Sequence, residues 1–266
     1  MAFIELLGYL GALVVGLVLG LIGGGGSILT VPIMVYLIGL NPLVATAYSL
    51  FVVGTTSVFG AFQNYKKGLV DLKTAIVFAI PAFIVVYLTR RYFVPIIPDV
   101  VFTLNSFTVT NDIFIMIFFS VVMLLASYSM IRGRKNIMTT EKQNLFYNYP
   151  IIAVQATVIG VFSGIVGAGG GFLIIPTLVL IGKLPMKKAV GTSLFVIAVN
   201  SLFGFLGDLS NIDINWPFLL TFTFISIIGI FIGSYFSKFI SGKKLKKGFG
   251  YFTIIMAIYI VYRELF

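Results

Sequence analysis

The chain contains the stretch GLVLGLIGGGGSILTVP at residues 16–32 and a closely similar stretch, GVFSGIVGAGGGFLIIP, at residues 160–176. Seven positions are identical, and each identical pair is separated by 144 residues. The similarity continues downstream, where SLFVV from Ser49 matches SLFVI from Ser193. A fixed offset over so many positions indicates an internal duplication, and each copy carries a run of glycines inside an apolar stretch.

The composition indicates a membrane protein. Of the 266 residues, 59% are hydrophobic and only 10% are charged, with a mean hydropathy of +1.12. A soluble domain carries about 25% charged residues. Many apolar stretches approach the length of about 20 residues that crosses a lipid bilayer as a helix. The sequence therefore predicts an all-α polytopic membrane protein.

The composition also excludes several classes of function. The chain has no cysteine and no histidine, which argues against transition-metal sites, haem and most nucleophilic enzymes. No pair of buried carboxylates offers an acid and a base. We therefore expect no catalytic residue, no metal and no cofactor. The net charge of +10 is better explained by basic cytoplasmic loops than by a nucleic-acid partner.

Ten apolar segments are predicted, five in each copy. Two of them, 27–39 and 171–182, have only about 12 residues, or roughly 18 Å of helix, whereas a full crossing needs about 20 residues. We expect two transmembrane repeats, 1–131 and 149–266, joined by a linker at 132–148, with short broken or re-entrant helices at the glycine motifs. The ten segments are 6–22, 27–39, 43–62, 72–91, 112–131, 149–166, 171–182, 188–207, 215–237 and 248–265.

Basic residues are distributed unevenly between the predicted loops. If the N-terminus is outside, 15 of the 18 lysines and arginines fall inside, and only Arg90, Arg91 and Arg263 fall outside. Because positive charge marks cytoplasmic loops, both termini are expected to be extracytoplasmic in a cell membrane. Five segments are an odd number, so the second repeat enters from the opposite side, as an inverted-topology duplication.

The glycine runs at 23–26 and 167–171 do not suit a continuous helix, since each glycine costs about 1 kcal/mol relative to alanine. A broken backbone at membrane depth persists only where protein or a water-filled cavity satisfies it. The helix that starts after such a break presents free N–H groups, which suit an anion. In inverted repeats the two breaks meet near the membrane midplane. The backbone candidates for an anion site are Gly24, Gly25, Gly26, Ser27, Gly169, Gly170 and Gly171.

Two further groups of small or polar residues recur at helical spacing. Gly16 and Gly20 lie four residues apart, as do Gly160 and Gly164, and we expect both pairs to pack helices closely. Polar stripes on the third and eighth segments either complete the anion site or form hydrogen bonds between helices. The side-chain candidates on these stripes are Ser49, Thr56, Ser193 and Asn200, with Gly60, Gln63, Gly204 and Gly207 on the same faces.

The charged residues suggest how an anion is recognised. No basic residue lies in the middle of a predicted segment, so backbone N–H groups are expected to bind the anion. Lys183, Lys187 and Lys188 would add only a local positive field on the cytoplasmic side. Asp208, at a segment end, is expected to face the interface, and Asp71 to form a surface ion pair with a nearby lysine.

The paired pattern G-x-x-G-x-G-G at residues 20–26 and 164–170 resembles the sulfite exporter TauE/SafE family. The resemblance extends over nearly the whole chain and implies export of small sulfur-containing anions, sulfite being the namesake. Residues 92–111 depart from it, because the second copy has no counterpart, and form a lid, a partner surface or a plain connector. The resemblance also includes the downstream residues Pro32, Pro42, Ala45 and Ser49, and Pro176, Pro185, Ala189 and Ser193.

Three functions fit these observations. The leading one is a secondary transporter of a small anion, driven by an ion gradient, the membrane potential or the substrate's own gradient, because no nucleotide-binding motif is present. The alternatives are an anion channel and an accessory membrane subunit of a transport complex. A coupling ion and a second copy of the chain are further candidate partners, besides the anion and the lipid bilayer.

The predicted sidedness can be tested by labelling, because the chain has no cysteine of its own. Single cysteines at Ala2, Asn136 and Ser241 are treated on intact cells with a membrane-impermeant maleimide. We expect Ala2→Cys to be labelled and the other two only after permeabilisation. Labelling of Asn136→Cys on intact cells would contradict the inverted arrangement.

Overall fold

A computed structural model describes residues 2–104, 107–131, 149–180, 182–237, 239 and 242–265. The predicted linker 132–148 lies outside these residues. Within them the chain forms ten helices, and the glycine motifs separate the first from the second and the sixth from the seventh. The helices are α1 (Ala2–Ile22), α2 (Gly24–Leu37), α3 (Pro42–Lys66), α4 (Leu72–Ile96), α5 (Asn111–Ile131), α6 (Tyr149–Val166), α7 (Gly171–Leu180), α8 (Met186–Asp208), α9 (Trp216–Phe236) and α10 (Gly242–Leu265).

Several of these helices suit a membrane. In the described part of the chain, α3, α4, α8 and α9 are long and apolar enough to cross a bilayer, as is Asn111–Tyr128 of α5. The shorter apolar helices include α2 and most of α1 and α6. The all-α polytopic class predicted from composition is therefore supported.

Helices α2 and α4 are irregular. Helix α2 begins as a 3₁₀ turn at Gly24–Leu29 and ends as a π turn at Ile33–Leu37. Helix α4 passes through a π turn at Thr89–Phe93 and continues to Ile96. The predicted end at residue 91 is therefore too early, and Arg90, which the prediction places at the end of the segment, lies inside the helix. Single π turns are frequent at functional sites.

A short β-hairpin follows α4. Strand β1 (Val100–Leu104) pairs antiparallel with β2 (Phe107–Thr110), and Phe102 lies opposite Val109. The hairpin corrects the expectation of a purely helical chain. Its β-branched and aromatic residues favour strands, and Val109 is buried. Residues 92–111 are thus partly helix and partly hairpin.

Helices α1 and α9 pack in parallel through facing glycines. A Cβ added to Gly16 would lie 3.0 Å from the Cα of Gly229, and one on Gly20 would lie 2.9 Å from the carbonyl carbon of Gly233. Such small-residue pairs let membrane helices approach closely. The equivalent contact occurs between α6 and α4, where Gly160 and Gly164 of α6 pack on Val85 and Thr89 of α4. The predicted packing role of these glycines agrees with the structure.

Helices α3 and α8, which are equivalent in the two repeats, cross in opposite directions. Gly54 contacts Leu202, whereas Gly60 contacts Leu194, so the residue number falls along α8 as it rises along α3. Helices α2 and α7, also equivalent, begin against each other at Gly24 and Gly171. The contact of Gly60 with Leu194 also has its equivalent after exchange of the repeats, since Gly204 contacts Leu50.

The glycine packing of α1 on α9 predicts a loss of stability when a side chain is added. In Gly16→Leu the new side chain would collide with the backbone of Ser226 on α9. Overpacking of this kind costs about 1–3 kcal/mol or more, so the melting temperature in detergent should fall clearly.

Gly248→Leu is the matched control, because a Cβ at Gly248 has open space around it. Its melting temperature should stay within about 1 °C of the unsubstituted protein, since exposed substitutions have small effects. Equal melting temperatures for the two variants would contradict the packing described here.

Candidate functional site

The two glycine breaks meet inside the protein. A Cβ added to Gly24 would lie 2.6 Å from the Cα of Gly171, so the starts of α2 and α7 touch through their backbones. Gly23 and Gly167, at equivalent positions, turn the chain with φ of 75° and 69°. These positive φ values favour glycine, which has no Cβ to clash. The structure thus brings together the two breaks that the sequence predicts.

The first break contributes backbone N–H groups. Gly24, Gly25, Gly26 and Ser27 are all buried. The first N–H groups of a helix have no acceptor within it, and here Gly26 N donates to the carbonyl of Gly23 at 3.2 Å. The Ser27 hydroxyl donates to the carbonyl of Gly24 at 2.8 Å, so its hydrogen is already committed. The backbone, rather than the Ser27 hydroxyl, is therefore the candidate ligand-binding element here.

The second break contributes a tight turn before α7. Gly169 and Gly170 have φ of 65° and 66°, and both are buried with Gly171. The carbonyl of Gly170 accepts from the N–H groups of Leu173 and Ile174 at 2.9 and 3.1 Å. The first-turn amides of α7 that remain for a ligand or for water are those of Gly171 and Phe172.

Thr56 and Asn200 lie where α3 crosses α8. The contacts Gly54–Leu202 and Gly60–Leu194 lie on either side of them, so Thr56 and Asn200 lie at about the same height along the two helices. Both residues are 0% exposed, and within the described ranges the Thr56 hydroxyl and both Asn200 amide atoms have no hydrogen-bond partner. A buried polar group without a partner costs about 1–3 kcal/mol. These groups are therefore candidates to bind a ligand.

Ser49 and Ser193 occupy different places from that pair. Each precedes its partner in the stripe by seven residues, or about 10 Å of helix, and the antiparallel crossing puts them towards opposite ends. The Ser193 hydroxyl donates to the carbonyl of Val190 at 2.8 Å. The Ser49 hydroxyl is buried without a partner among the described residues. The predicted side-chain site is thus a column along two helices, not one cluster.

A buried arginine lies beside the second break. Arg90 is 0% exposed, and its Nη1 lies 3.1 Å from the hydroxyl of Thr46 and 3.3 Å from Oδ2 of Asp208. A Cβ added to Gly167 would collide with Nη2 of Arg90. Within the described part of the chain, Nε and Nη2 have no hydrogen-bond partner. The guanidinium therefore presents unpaired donors at the glycine break.

Two sequence-based expectations are corrected by this pair. Arg90, expected at a segment end on the outer side, is 0% exposed, and Asp208 is 3% exposed rather than facing the interface. Gly207 allows the approach, because a Cβ there would lie 2.9 Å from that of Arg90. A signal existed in the apolar run YFVPII that follows Arg91, which prolongs the helix past both arginines.

Other charged residues have plainer roles. The Asp71 carboxylate accepts from the N–H of Thr74 at 2.9 Å and caps α4. It takes no part in the lysine pair that the sequence suggests, and Arg90–Asp208 is the ion pair found in the described residues. Lys183, Lys187 and Lys188 are exposed, so they can shape the field at the surface without touching the breaks.

Comparison with known proteins identifies the family of the chain. The sequence profile of the family described as "Sulfite exporter TauE/SafE" matches residues 8–260. A "Probable membrane transporter protein" of Xylella fastidiosa is 28% identical over 254 residues, which cover 94% of this chain and 92% of that protein. The Bacillus subtilis "Probable membrane transporter protein YunE" is 29% identical over 267 residues, which cover 94% and 91% of the two chains. No solved structure matches the chain. Since the profile match spans nearly the whole sequence, the chain belongs to the sulfite exporter TauE/SafE family and is a multi-pass membrane transporter.

Proposed function

We propose that the protein is a secondary transporter that exports small anions, with sulfite and organosulfur anions as the first substrates to test. The observation that carries this proposal is the meeting of two buried helix starts at Gly24 and Gly171. First-turn amides without acceptors in their own helices suit an anion. Membership of the family supports the sulfur-containing substrate class.

The proposed mechanism is alternating access by two inverted repeats. The antiparallel crossing of α3 and α8 and the parallel packing of α1 on α9 support this arrangement. In transporters of this kind one repeat or bundle rocks against the other around a fixed central site. The moving units would be 1–131 and 149–266, with the 132–148 linker cytoplasmic and both termini outside the plasma membrane.

The described conformation fits an occluded state of that cycle. The candidate groups at both breaks and at the α3–α8 crossing are buried. An anion therefore reaches them only when the repeats separate on one side. A site reached alternately from two sides suits a carrier, whereas a channel needs a continuous water path.

Flux through liposomes tests the proposal. Purified protein is reconstituted into vesicles loaded with sodium sulfite, and efflux is followed with and without external sulfite. We expect saturable efflux that external sulfite accelerates, because a carrier returns faster when loaded. Sulfate, thiosulfate, sulfoacetate and chloride are compared in the same assay. Single-channel conductance would instead support an anion channel, and flux that appears only with a partner protein would support an accessory subunit.

Two small substitutions test the site itself. In Gly24→Ala and Gly171→Ala the added methyl would press on the facing backbone, so sulfite efflux should fall at least about tenfold, as a misplacement of about 1 Å can cost 10²-fold. Gly11→Ala is the matched control, because its methyl would meet side chains and no backbone, with Ile33 at 2.7 Å and Leu37 at 3.6 Å.

The control variant should keep most of its flux. All three variants are first checked for membrane insertion and a single peak in size-exclusion chromatography. Wild-type flux in correctly folded Gly24→Ala and Gly171→Ala would rule out the two breaks as the anion site.

A further inference from the structure

We propose that the Arg90 side chain binds the oxyanion at the second glycine break, and that Asp208 holds it in place when the site is empty. This inference rests on the proposed function and adds to it the residue that selects the substrate. Recognition would then come from a side-chain cation together with backbone amides, not from amides alone.

The free edge of Arg90 matches an oxyanion. Its Nη1 faces Thr46 and Asp208, whereas Nε and Nη2 have no partner in the described part of the chain. Nε and Nη2 form one side of the planar guanidinium, and two parallel N–H groups on that side can bind two oxygens of one anion. A collision between Nη2 and any Cβ on Gly167 shows that this edge lies against the break.

Other unpaired groups collect at the same break. The Ser201 hydroxyl would collide with a Cβ on Gly169, and the Ser163 hydroxyl lies 3.2 Å from a Cβ position on Gly170. Both hydroxyls are buried and have no partner among the described residues. Two hydroxyls and a guanidinium edge around one turn provide donors of the kind that a small oxyanion requires.

The first break lacks this set. At the offset of 144 residues, Arg90 corresponds to Ser234, Thr46 to Val190 and Ser163 to Leu19. The contacts follow the same correspondence, since Gly23 packs on Val190 and Gly26 on Leu19. The first break thus lacks the cation and the hydroxyls of Thr46 and Ser163, whereas Ser57, the counterpart of Ser201, keeps a hydroxyl. The anion should therefore bind off the pseudo-symmetry axis, on the side of Gly167.

Asp208 acts as a positioning residue. A buried arginine without a counterion is costly, so a neighbouring carboxylate stabilises it in the empty site. A bound oxyanion places a second negative charge beside Asp208, which weakens binding and favours release. Removal of the Asp208 charge should therefore tighten binding and slow turnover.

The shape of the guanidinium also predicts selectivity. Sulfite offers two oxygens to the fork, whereas chloride offers a single contact. Lysine keeps the charge but presents a compact ammonium instead of the fork. Arg90→Lys should therefore lose sulfite binding more than chloride binding, which a purely structural role would not produce.

The experiment uses the full chain in liposomes with sodium sulfite and sodium chloride. For Arg90→Lys we expect sulfite flux to fall at least about tenfold, the effect of losing a charge-assisted hydrogen bond, with a smaller change for chloride. For Asp208→Asn we expect both KM and kcat for sulfite to fall. Arg91→Gln is the control, because it removes a neighbouring, half-buried charge on the same helix, and its KM should change less than about twofold.

A binding measurement separates this inference from the transport proposal. Sulfite should raise the melting temperature of the wild-type protein in detergent, and Arg90→Lys should lose that increase. One outcome is that the wild-type protein binds sulfite without transporting it and Arg90→Lys loses the binding. That outcome would overturn transport and keep the arginine site. Equal sulfite-induced increases in both proteins would overturn the arginine site, whatever the flux. If Arg90→Lys does not fold, unchanged KM and kcat in Asp208→Asn would also overturn it.

Discussion

The backbone contact between Gly24 and Gly171 constrains the whole arrangement. Neither residue can carry a side chain without a collision, and both helices that start there leave amides without acceptors in their own helix. At membrane depth such groups persist only where protein or water satisfies them. The surrounding helices therefore have to enclose this point. The glycine packing of α1 on α9, and of α6 on α4, brings each break to it.

The two repeats make equivalent packing contacts but carry different polar residues. Exchange of the two repeats maps one packing contact onto another, as when the Gly60–Leu194 contact of α3 and α8 becomes the Gly204–Leu50 contact. The polar groups do not follow it, because Arg90 and Asp208 have Ser234 and Asn64 as their counterparts. Under the proposed mechanism, symmetric packing would allow two alternative tilts of one repeat against the other, and the one charged break would give the substrate a single place to bind in both.

The glycine breaks and the number of helices could be predicted, because each is a local pattern repeated in the sequence. Arg90 could not be placed, because its burial depends on α8 approaching α4 at Gly207, a contact distant in sequence. A charge near the end of an apolar segment also matches an ordinary interfacial residue, as the positive-inside count assumed. The hairpin was missed for a similar reason, since its alternating residues lie in a segment without a counterpart in the second copy.

Ser201 offers the most direct measurement of the central claim that a buried site between the two breaks opens to either side. In Ser201→Cys, which is close to isosteric, an impermeant maleimide is applied to right-side-out and inside-out vesicles. We expect slow labelling from both sides, and slower labelling when sodium sulfoacetate is present, an anion that does not consume the maleimide as sulfite would. Labelling at a rate that saturating sulfoacetate leaves unchanged would contradict the central claim.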